Sequence, residues 1–446
     1  MKRHENRREF LRNSALAGIG IWASATNLRS VPGAAAQSRS PSGKLGVGII
    51  GVHSRGAANM AAVAGENIVA LCDVNEDYLA EAAKRQPKAK TYVDWRKMLD
   101  QKDIDAVTVS TTEHTHALAS IAAMKRGKHV YCEKPLAHSV YEARTMRETC
   151  KQAKVATQMG TQVHATENYR RVVELVQSGA IGPVREVHVW VDQGIEGPRS
   201  RPQETPPVPK NLHWDLWIGP APMRPYHPCY FKDRSMSWQN WWDFGNGALG
   251  DMGSHTIDLP FWALELRYPT TVEAEGPLPV RAETYPDQLK VRWEHPARDQ
   301  PSAGARRPPL TLTWYDRKQR PKSPEGVDLA KWHLGILFVG QKGMLLADYG
   351  KWMLLPERDF KDFQAPKPSI PPSLGHHEEW IHACKTGTPT LCNFEYSGTL
   401  VEHDLLGTVA FRAGKKLQWD AENLKAVNCP EADQFIRRQY REGWTL

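Results

Sequence analysis

After residue 43 the chain alternates short apolar runs with longer amphipathic segments. The apolar runs predict buried strands, and the segments between them predict helices. The predicted strands are Leu45–Ile50, Asn67–Cys72, Ala106–Ser110, His129–Cys132 and Val155–Met159. The predicted helices are a segment that starts near Ala57, then Asn75–Arg85, Trp95–Asp100, Ala117–Arg126 and Tyr141–Lys151. Strands that alternate with helices favour a doubly wound parallel sheet, so residues 44–160 are predicted to form one α/β domain.

Beyond residue 160 the pattern changes, which predicts a second domain over residues 161–446. Glu167–Gln177 has helical periodicity, and Val184–Val191 alternates with period two, as a half-buried antiparallel strand does. Further strands are predicted at Leu310–Tyr315, Gly335–Val339 and Met344–Tyr349. This mixture predicts an α+β domain with an antiparallel sheet.

The first 36 residues have the features of an export signal. Arg7 and Arg8 form a twin-arginine pair, a weakly apolar run follows, and Ala34-Ala35-Ala36 offers a cleavage site. The apolar run is too short to span a bilayer. We therefore expect residues 1–36 to be a twin-arginine signal peptide, residues 37–43 a polar linker, and the mature protein periplasmic without an integral membrane segment. The alternative is a basic N-terminus with a chance arginine pair.

Charge argues against a nucleic-acid partner. Residues 1–36 hold six Lys and Arg and two Glu, so half of the formal net charge of +8 lies in the predicted signal. The rest of the chain shows no concentrated basic stripe of the kind that binds phosphate backbones.

A glycine-containing turn follows the first predicted strand. A literal G-x-G-x-x-G match at residues 46–51 lies inside the strand, where glycines cannot cradle a phosphate. The register that follows the strand and opens a helix is Gly51-x-His53-x-x-Gly56, with Ser54 between them. Gly51, His53, Ser54 and Gly56 are therefore predicted to bind a dinucleotide, although His53 stands where a glycine is usual.

Asp73 stands at the end of the second predicted strand, 22 residues after Gly51. An acid at this spacing accepts hydrogen bonds from the adenosine ribose and repels a 2′-phosphate, which favours NAD over NADP. The alternative role for Asp73 is to cap the helix Asn75–Arg85.

Polar residues follow the third predicted strand and belong at the same crevice. They are Ser110, Thr111, His114 and His116. The alternative is an ordinary helix cap by Thr115 with exposed histidines. No metal site is predicted, because no further ligand lies near the two histidines in the sequence.

Two motifs carry the chemistry. Glu133-Lys134-Pro135 ends the fourth predicted strand and brings a cation to the crevice. Asp251 and His255 lie four residues apart, on one face of a helix predicted to start near Asp251, where the carboxylate could orient the imidazole and support its cationic form. Taken alone, the second pair could equally be a helix cap and an ordinary histidine.

The substrate side is predicted to be polar and aromatic. Trp214 and Trp242 could pack against the C–H faces of a sugar, and the alternative places them in the core or at an oligomer interface. The candidate partners for hydroxyl groups are Gln162, Arg170, His213 and Asp243.

Together these residues resemble the Gfo/Idh/MocA family of oxidoreductases, from Leu45 to the C-terminus. Its most specific motifs match Glu133-Lys134-Pro135 and Asp251-x-x-x-His255. The resemblance implies a Rossmann domain, a C-terminal domain with an open antiparallel sheet that commonly mediates oligomerisation, and a nicotinamide cofactor. It also implies that Lys134 and His255 are the catalytic pair, assisted by Asp251.

The resemblance leads us to expect an exported NAD-dependent oxidoreductase that acts on a sugar or cyclitol hydroxyl. Two alternatives stay open. One is an enzyme that oxidises a sugar transiently, eliminates a glycosidic bond and then reduces the product. The other is a nucleotide-binding sensor without turnover.

Overall fold

The structure, a computed structural model, describes residues 43–192, 199–231 and 236–446. The predicted signal peptide and residues 37–42 of the predicted linker lie outside the described residues. Among the described helices, none combines the length and the apolar character needed to cross a bilayer.

Six parallel strands form the first sheet, one more than predicted. They are β1 (Gly46–Ile50), β2 (Asn67–Cys72), β3 (Lys90–Tyr92), β4 (Ala106–Val109), β5 (His129–Glu133) and β6 (Thr157–Gly160). Their order in the sheet is β3-β2-β1-β4-β5-β6. Strands are added on one side from β1 to β3 and on the other side from β4 to β6, so the switch point of the topology lies between β1 and β4. Ligands bind at the carboxyl edge of such a switch point. The missed β3 is a short edge strand of partly exposed side chains, so it lacks an apolar pattern.

Five helices connect these strands. They are α1 (Arg55–Ala62), α2 (Glu76–Arg85), α3 (Trp95–Met98), α4 (Glu113–Lys125) and α5 (Val140–Ala153). Helix α4 begins at Glu113, four residues before the predicted start at Ala117. The first turn of the helix consists of buried polar residues. Because these residues are polar, their sequence pattern is typical of a loop although they are helical.

The second sheet has nine strands in the order β15-β14-β13-β7-β12-β9-β8-β16-β17. The strands of this domain are β7 (Val184–Val191), β8 (Thr271–Glu275), β9 (Lys290–His295), β10 (Arg298–Gln300), β11 (Ala305–Arg307), β12 (Leu310–Tyr315), β13 (Leu334–Gly340), β14 (Met344–Ala347), β15 (Trp352–Leu355), β16 (Leu417–Asp420) and β17 (Lys425–Ala426). Strands β10 and β11 form a separate hairpin. Strand β7 is antiparallel to β13 but parallel to β12, so the sheet is mixed rather than purely antiparallel.

The described part of the second domain contains seven α-helices. They are α6 (Glu167–Gln177), α7 (Trp214–Ile218), α8 (Gly247–Thr256), α9 (Asp258–Ala263), α10 (His376–Thr386), α11 (Phe394–Ala413) and α12 (Asp433–Ile436). Helix α11 is buried around most of its circumference and packs against α5, α8 and β8. One hydrophobic core therefore contains side chains from both sheets, such as Val107 and Val291.

The late part of the chain returns to the edge of the parallel sheet at β6. The Met159 amide donates to the Cys392 carbonyl (3.0 Å), and the Phe394 amide donates to the Thr157 hydroxyl (3.0 Å). The Thr390 hydroxyl donates to the Thr157 carbonyl (2.8 Å). Residues 390–394 thus cover this edge of the sheet.

Candidate active site

The turn between β1 and α1 requires glycine at two positions. Gly51 has φ +83°, and a Cβ there would lie 2.5 Å from the Ser110 carbonyl oxygen. A Cβ on Gly56 would lie 1.9 Å from the carbonyl oxygen of Gly51. The turn is therefore closed by backbone packing in the register that the sequence indicates. At the turn, the His53 ring stacks on Tyr78 with the ring centroids 3.9 Å apart.

Asp73 is bound to the same turn. Its carboxylate accepts hydrogen bonds from the backbone amides of Val52 (3.0 Å) and Asn75 (2.9 Å). Burial raises the pKa of Asp73, against the opposing effect of these two donors. The helix cap considered as an alternative for Asp73 is instead Asn75, whose side chain accepts from the Asp77 and Tyr78 amides. The backbone amide of Val74 also donates to this carboxylate, so one lone pair is left for a further donor.

A cavity of about 530 Å³ follows the carboxyl ends of the parallel strands. Its lining contains most of the predicted cofactor-binding residues, namely Gly51, His53, Ser54, Asp73, Ser110, Thr111, His116, Glu133 and Lys134. The second domain adds an apolar cover that includes Leu212, Trp217 and Phe231. This volume is in the range of small-molecule sites. The cavity therefore joins the predicted ribose end at Asp73 to the predicted catalytic end at Lys134.

Lys134 and Asp251 bring the two domains together in an ion pair. The Lys134 ammonium contacts the Asp251 carboxylate and lies 3.3 Å from the Asp251 carbonyl oxygen. The exposed fractions of the two side chains are 13% and 8%, so solvent screens the pair little. The Gln239 amide donates to the same carboxylate (3.2 Å). The expectation that Asp251 orients His255 is corrected, because the carboxylate is bound to a cation from the other domain.

His255 is positioned by Thr161 instead. The Thr161 hydroxyl donates its one hydrogen to the Ser254 carbonyl (2.9 Å), so it accepts from His255 Nδ1 (2.9 Å). The proton is thereby assigned to Nδ1, which leaves Nε2 free as an acceptor. Burial, followed by the charges of Lys134 and Arg55, holds the pKa of His255 well below its usual value. The imidazole is therefore neutral, which corrects the predicted cationic form.

We expect Thr161→Val to lower kcat about 10-fold or more while KM changes little, because it leaves the Nδ1 proton without an acceptor and frees the other tautomer. Steady-state kinetics with a true substrate measure both constants. Thr161→Ser keeps the hydroxyl and is expected to act like the wild type. Equal kcat values in the valine variant and the wild type would refute the tautomer assignment.

Glu133 is held beneath the cavity by amides. Its carboxylate accepts from Asn59 (2.9 Å) and Gln162 (3.1 Å), and a Cβ on Gly160 would lie 2.7 Å from it. The Gln162 amide also donates to the Tyr131 hydroxyl (2.9 Å), so the predicted substrate ligand Gln162 supports Glu133. Asn59 was missed, because nothing in the sequence marks one buried amide inside α1.

A second buried acid lies near the ion pair. Glu113 accepts from the Asn246 amide (3.1 Å), and burial together with the charge of Asp251 raises the pKa of Glu113 to about 8. Glu113 was also missed, since it falls in the turn that the sequence assigned to a loop.

The two histidines of α4 do not share one role. The predicted cofactor ligand His114 packs against Trp217 and Phe244, and burial lowers its pKa to about 3. Among the described residues, the cavity lining does not include it. His116 lines the cavity, but its ring nitrogens face the carbonyls of Pro135 (2.8 Å) and Thr111 (3.0 Å). We therefore assign structural roles to both His114 and His116.

Several predicted substrate ligands are engaged elsewhere, which corrects those assignments. Arg170 forms a buried ion pair with Glu379 (2.6 Å). His213 contacts Glu76 (2.7 Å) at the surface. Trp214 stacks on Trp217 within an aromatic cluster (4.9 Å between ring centroids), as the core alternative had it.

Trp242 and Asp243 lie at a different cavity, described below. The Trp242 indole donates to the Arg281 carbonyl (3.1 Å), and Asp243 pairs with Arg224. Neither belongs to the described lining of the Lys134 cavity.

Tyr349 lies beside His255, a position that the sequence did not indicate. Its ring lies 6.3 Å from the His255 ring, and its buried hydroxyl has no hydrogen-bond partner among the described residues. The sequence pattern placed Tyr349 at the end of the predicted strand Met344–Tyr349, whereas the observed β14 ends at Ala347. An unpartnered hydroxyl beside His255 is suited to bind a polar ligand.

Two family models match the chain. The model described as "Oxidoreductase family, NAD-binding Rossmann fold" matches residues 45–161, and the model of the C-terminal alpha/beta domain of the same family matches residues 167–284. Together they match more than half of the chain.

Curated relatives match part of it. A levoglucosan dehydrogenase from Pseudarthrobacter phenanthrenivorans is 26% identical over 226 residues, 48% of this chain and 50% of the relative. A myo-inositol 2-dehydrogenase from Thermotoga maritima is 33% identical over 141 residues, which are 31% of this chain and 41% of the relative. A glycosyl hydrolase family 109 protein from Solibacter usitatus is 32% identical over 199 residues, which are 40% of this chain and 43% of the relative. The chain thus spans half or less of the length of each.

The fold is similar to that of the WlbA dehydrogenase from Bordetella pertussis, solved in complex with NADH and UDP-GlcNAcA. The TM-score is 0.59 at 17% identity, covering 84% of this chain and 99% of that chain. With the two domain models and this shared fold, the chain belongs to the Gfo/Idh/MocA oxidoreductase family, built from its NAD-binding Rossmann domain and its C-terminal α/β domain.

Proposed function

We propose that the protein is an NAD-dependent oxidoreductase that transfers hydride between a sugar or cyclitol carbinol and the nicotinamide. The observation that carries this proposal is the Lys134–Asp251 ion pair, which lies at a cavity formed by the carboxyl ends of the parallel strands. The relatives named for levoglucosan and myo-inositol support the substrate class.

The residues of the cavity fit a dinucleotide. The turn at Gly51 places the N-terminus of α1 at the cavity, where Ser54 and Arg55 line it and a pyrophosphate would be favoured, and Asp73 keeps a free lone pair for a ribose hydroxyl. When bound, NAD supplies a hydride acceptor at the nicotinamide ring.

Proton transfer falls to His255. A neutral imidazole with its proton on Nδ1 can accept the hydroxyl proton of the substrate at Nε2. Lys134 then stabilises the developing alkoxide, while Asp251 fixes the position of the ammonium group. Asp251 therefore acts through Lys134 in this proposal.

The second candidate is an enzyme that oxidises the sugar only transiently, eliminates a glycosidic bond and reduces the product with the same cofactor molecule. The similarity to a glycosyl hydrolase family 109 protein favours keeping it. The same Lys134 and His255 would serve both reactions, so residue geometry does not separate them.

We also propose that the protein is exported by the twin-arginine route, on the basis of Arg7 and Arg8. This route carries folded proteins, so a tightly held cofactor could travel with the chain. Assembly into an oligomer through the open nine-stranded sheet stays a prediction.

One experiment tests the proposed function and separates the candidates. We expect purified protein, once denatured, to release NAD or NADH that mass spectrometry identifies. Lasting NADH accumulation with sugars or cyclitols supports the dehydrogenase, whereas glycoside cleavage without net NADH supports the second candidate. Failure to bind any nicotinamide dinucleotide would overturn both.

A further inference from the structure

A second cavity of about 440 Å³ lies away from the Lys134 site. It is formed where the N-terminus of α5 meets the end of α11 and residues 434–439. The two cavities share no lining residue among those described. Its volume is that of a ligand site.

Two charged side chains of this cavity are already neutralised. Arg438 pairs with Glu142 (2.7 Å), and Asp243 pairs with Arg224.

Two arginines are not neutralised in this way. The Arg412 guanidinium lies over the rings of Phe435 (4.2 Å) and Trp242 (5.0 Å), and no described carboxylate pairs with it. Burial lowers the pKa of Arg412 to about 10, so it stays charged at neutral pH. Arg437 lies exposed over the Tyr141 ring (3.7 Å), also without a described carboxylate. A largely desolvated cation without a counter-ion is costly, and an anion would offset that cost.

His138 supplies an independent observation. It is 8% exposed, and neither ring nitrogen has a hydrogen-bond partner of ordinary geometry among the described residues. Burial and the nearby charges of Arg438 and Arg412 hold its pKa well below the usual value, with only the Trp242 backbone opposing them. Its single N–H faces the Trp242 carbonyl, so the other ring nitrogen can accept a hydrogen bond from a ligand hydroxyl at the cavity wall.

We propose that this cavity binds a small organic anion, a carboxylate or phosphate monoester on a body of sugar size, with its acidic group at Arg412 and a hydroxyl of the body donating to His138. Leu405, Val409 and Phe435 supply an apolar wall for the body of the ligand. The proposal is independent of the redox reaction.

The test is calorimetric titration of the full chain, saturated with NAD so that the dinucleotide cavity is filled. Glucuronate represents the carboxylate and glucose 6-phosphate the phosphate ester, with glucose as the neutral control. We expect at least one anion to bind with a submillimolar Kd and at least tenfold more tightly than glucose, whose heat measures any binding of the neutral sugar body at the Lys134 site. Whichever anion binds identifies the acidic group. Absence of binding by both anions at 10 mM overturns the proposal.

Variants locate the binding. Arg412→Gln is expected to lower the affinity for the anion by about tenfold or more, since it removes a charge-assisted contact. The matched control is Arg358→Gln, an exposed arginine paired with Glu325 (3.3 Å), which should bind as the wild type does. If Arg412→Gln fails to fold, His138→Gln serves instead and is expected to weaken binding several-fold. Wild-type affinity in the folded cavity variants would show that the anion binds elsewhere, which overturns the assignment.

Discussion

Turnover falls by about 10³-fold or more when Lys134 is replaced by alanine, because the cation that would stabilise the alkoxide is lost. The change also leaves the buried Asp251 carboxylate without its cation, beside the place where negative charge develops. NADH formation in a single turnover measures the chemical step. Dinucleotide binding by the same variant, measured by calorimetry, separates lost chemistry from lost folding.

The control for this variant is Lys151→Ala. Lys151 lies on α5 with 58% of its side chain exposed, and it pairs with Glu395 at 3.1 Å. Surface pairs contribute little, so its turnover should stay within about twofold of the wild type. Wild-type rates in Lys134→Ala with a true substrate would show that the ion pair is structural.

Replacing His255 by alanine lowers kcat by about 10²- to 10⁴-fold, the usual contribution of a positioned general base. The wild-type pH profile gives a second readout. Because the pKa of His255 is held low, the active neutral form persists as pH falls below the ordinary histidine value and is lost only as pH falls through the lowered pKa. The residual activity of His255→Ala should lack that acidic limb. An acidic limb unchanged in the variant would exclude His255 as the base.

The sequence placed Lys134 at the crevice but did not identify its partner. Lys134 was found because a strand end in an α/β sheet points to a crevice. The rule for residues four apart on a helix assigned Asp251 to His255, yet the carboxylate binds an ammonium group 117 residues away. A buried carboxylate gains more from a cation than from a neutral imidazole, and only the assembled domains bring that cation near.

The same limit explains the corrected ligands. Arg170 was chosen for its chemistry, and its partner Glu379 lies 209 residues further on. His114 was expected at the crevice because it follows a strand, but α4 starts at Glu113 and directs His114 against Trp217. Local patterns predicted the apolar strands of the first sheet. They failed at β3, because the residues of that strand are not apolar.

The cover over β6 makes the first domain inseparable from the end of the chain. Residues 44–160 alone would present the Thr157 carbonyl and the Met159 amide at an open edge, a template for aggregation. An engineer who wishes to graft this nucleotide-binding half onto another partner must therefore transplant residues 390–394 with it, although more than 200 positions separate them.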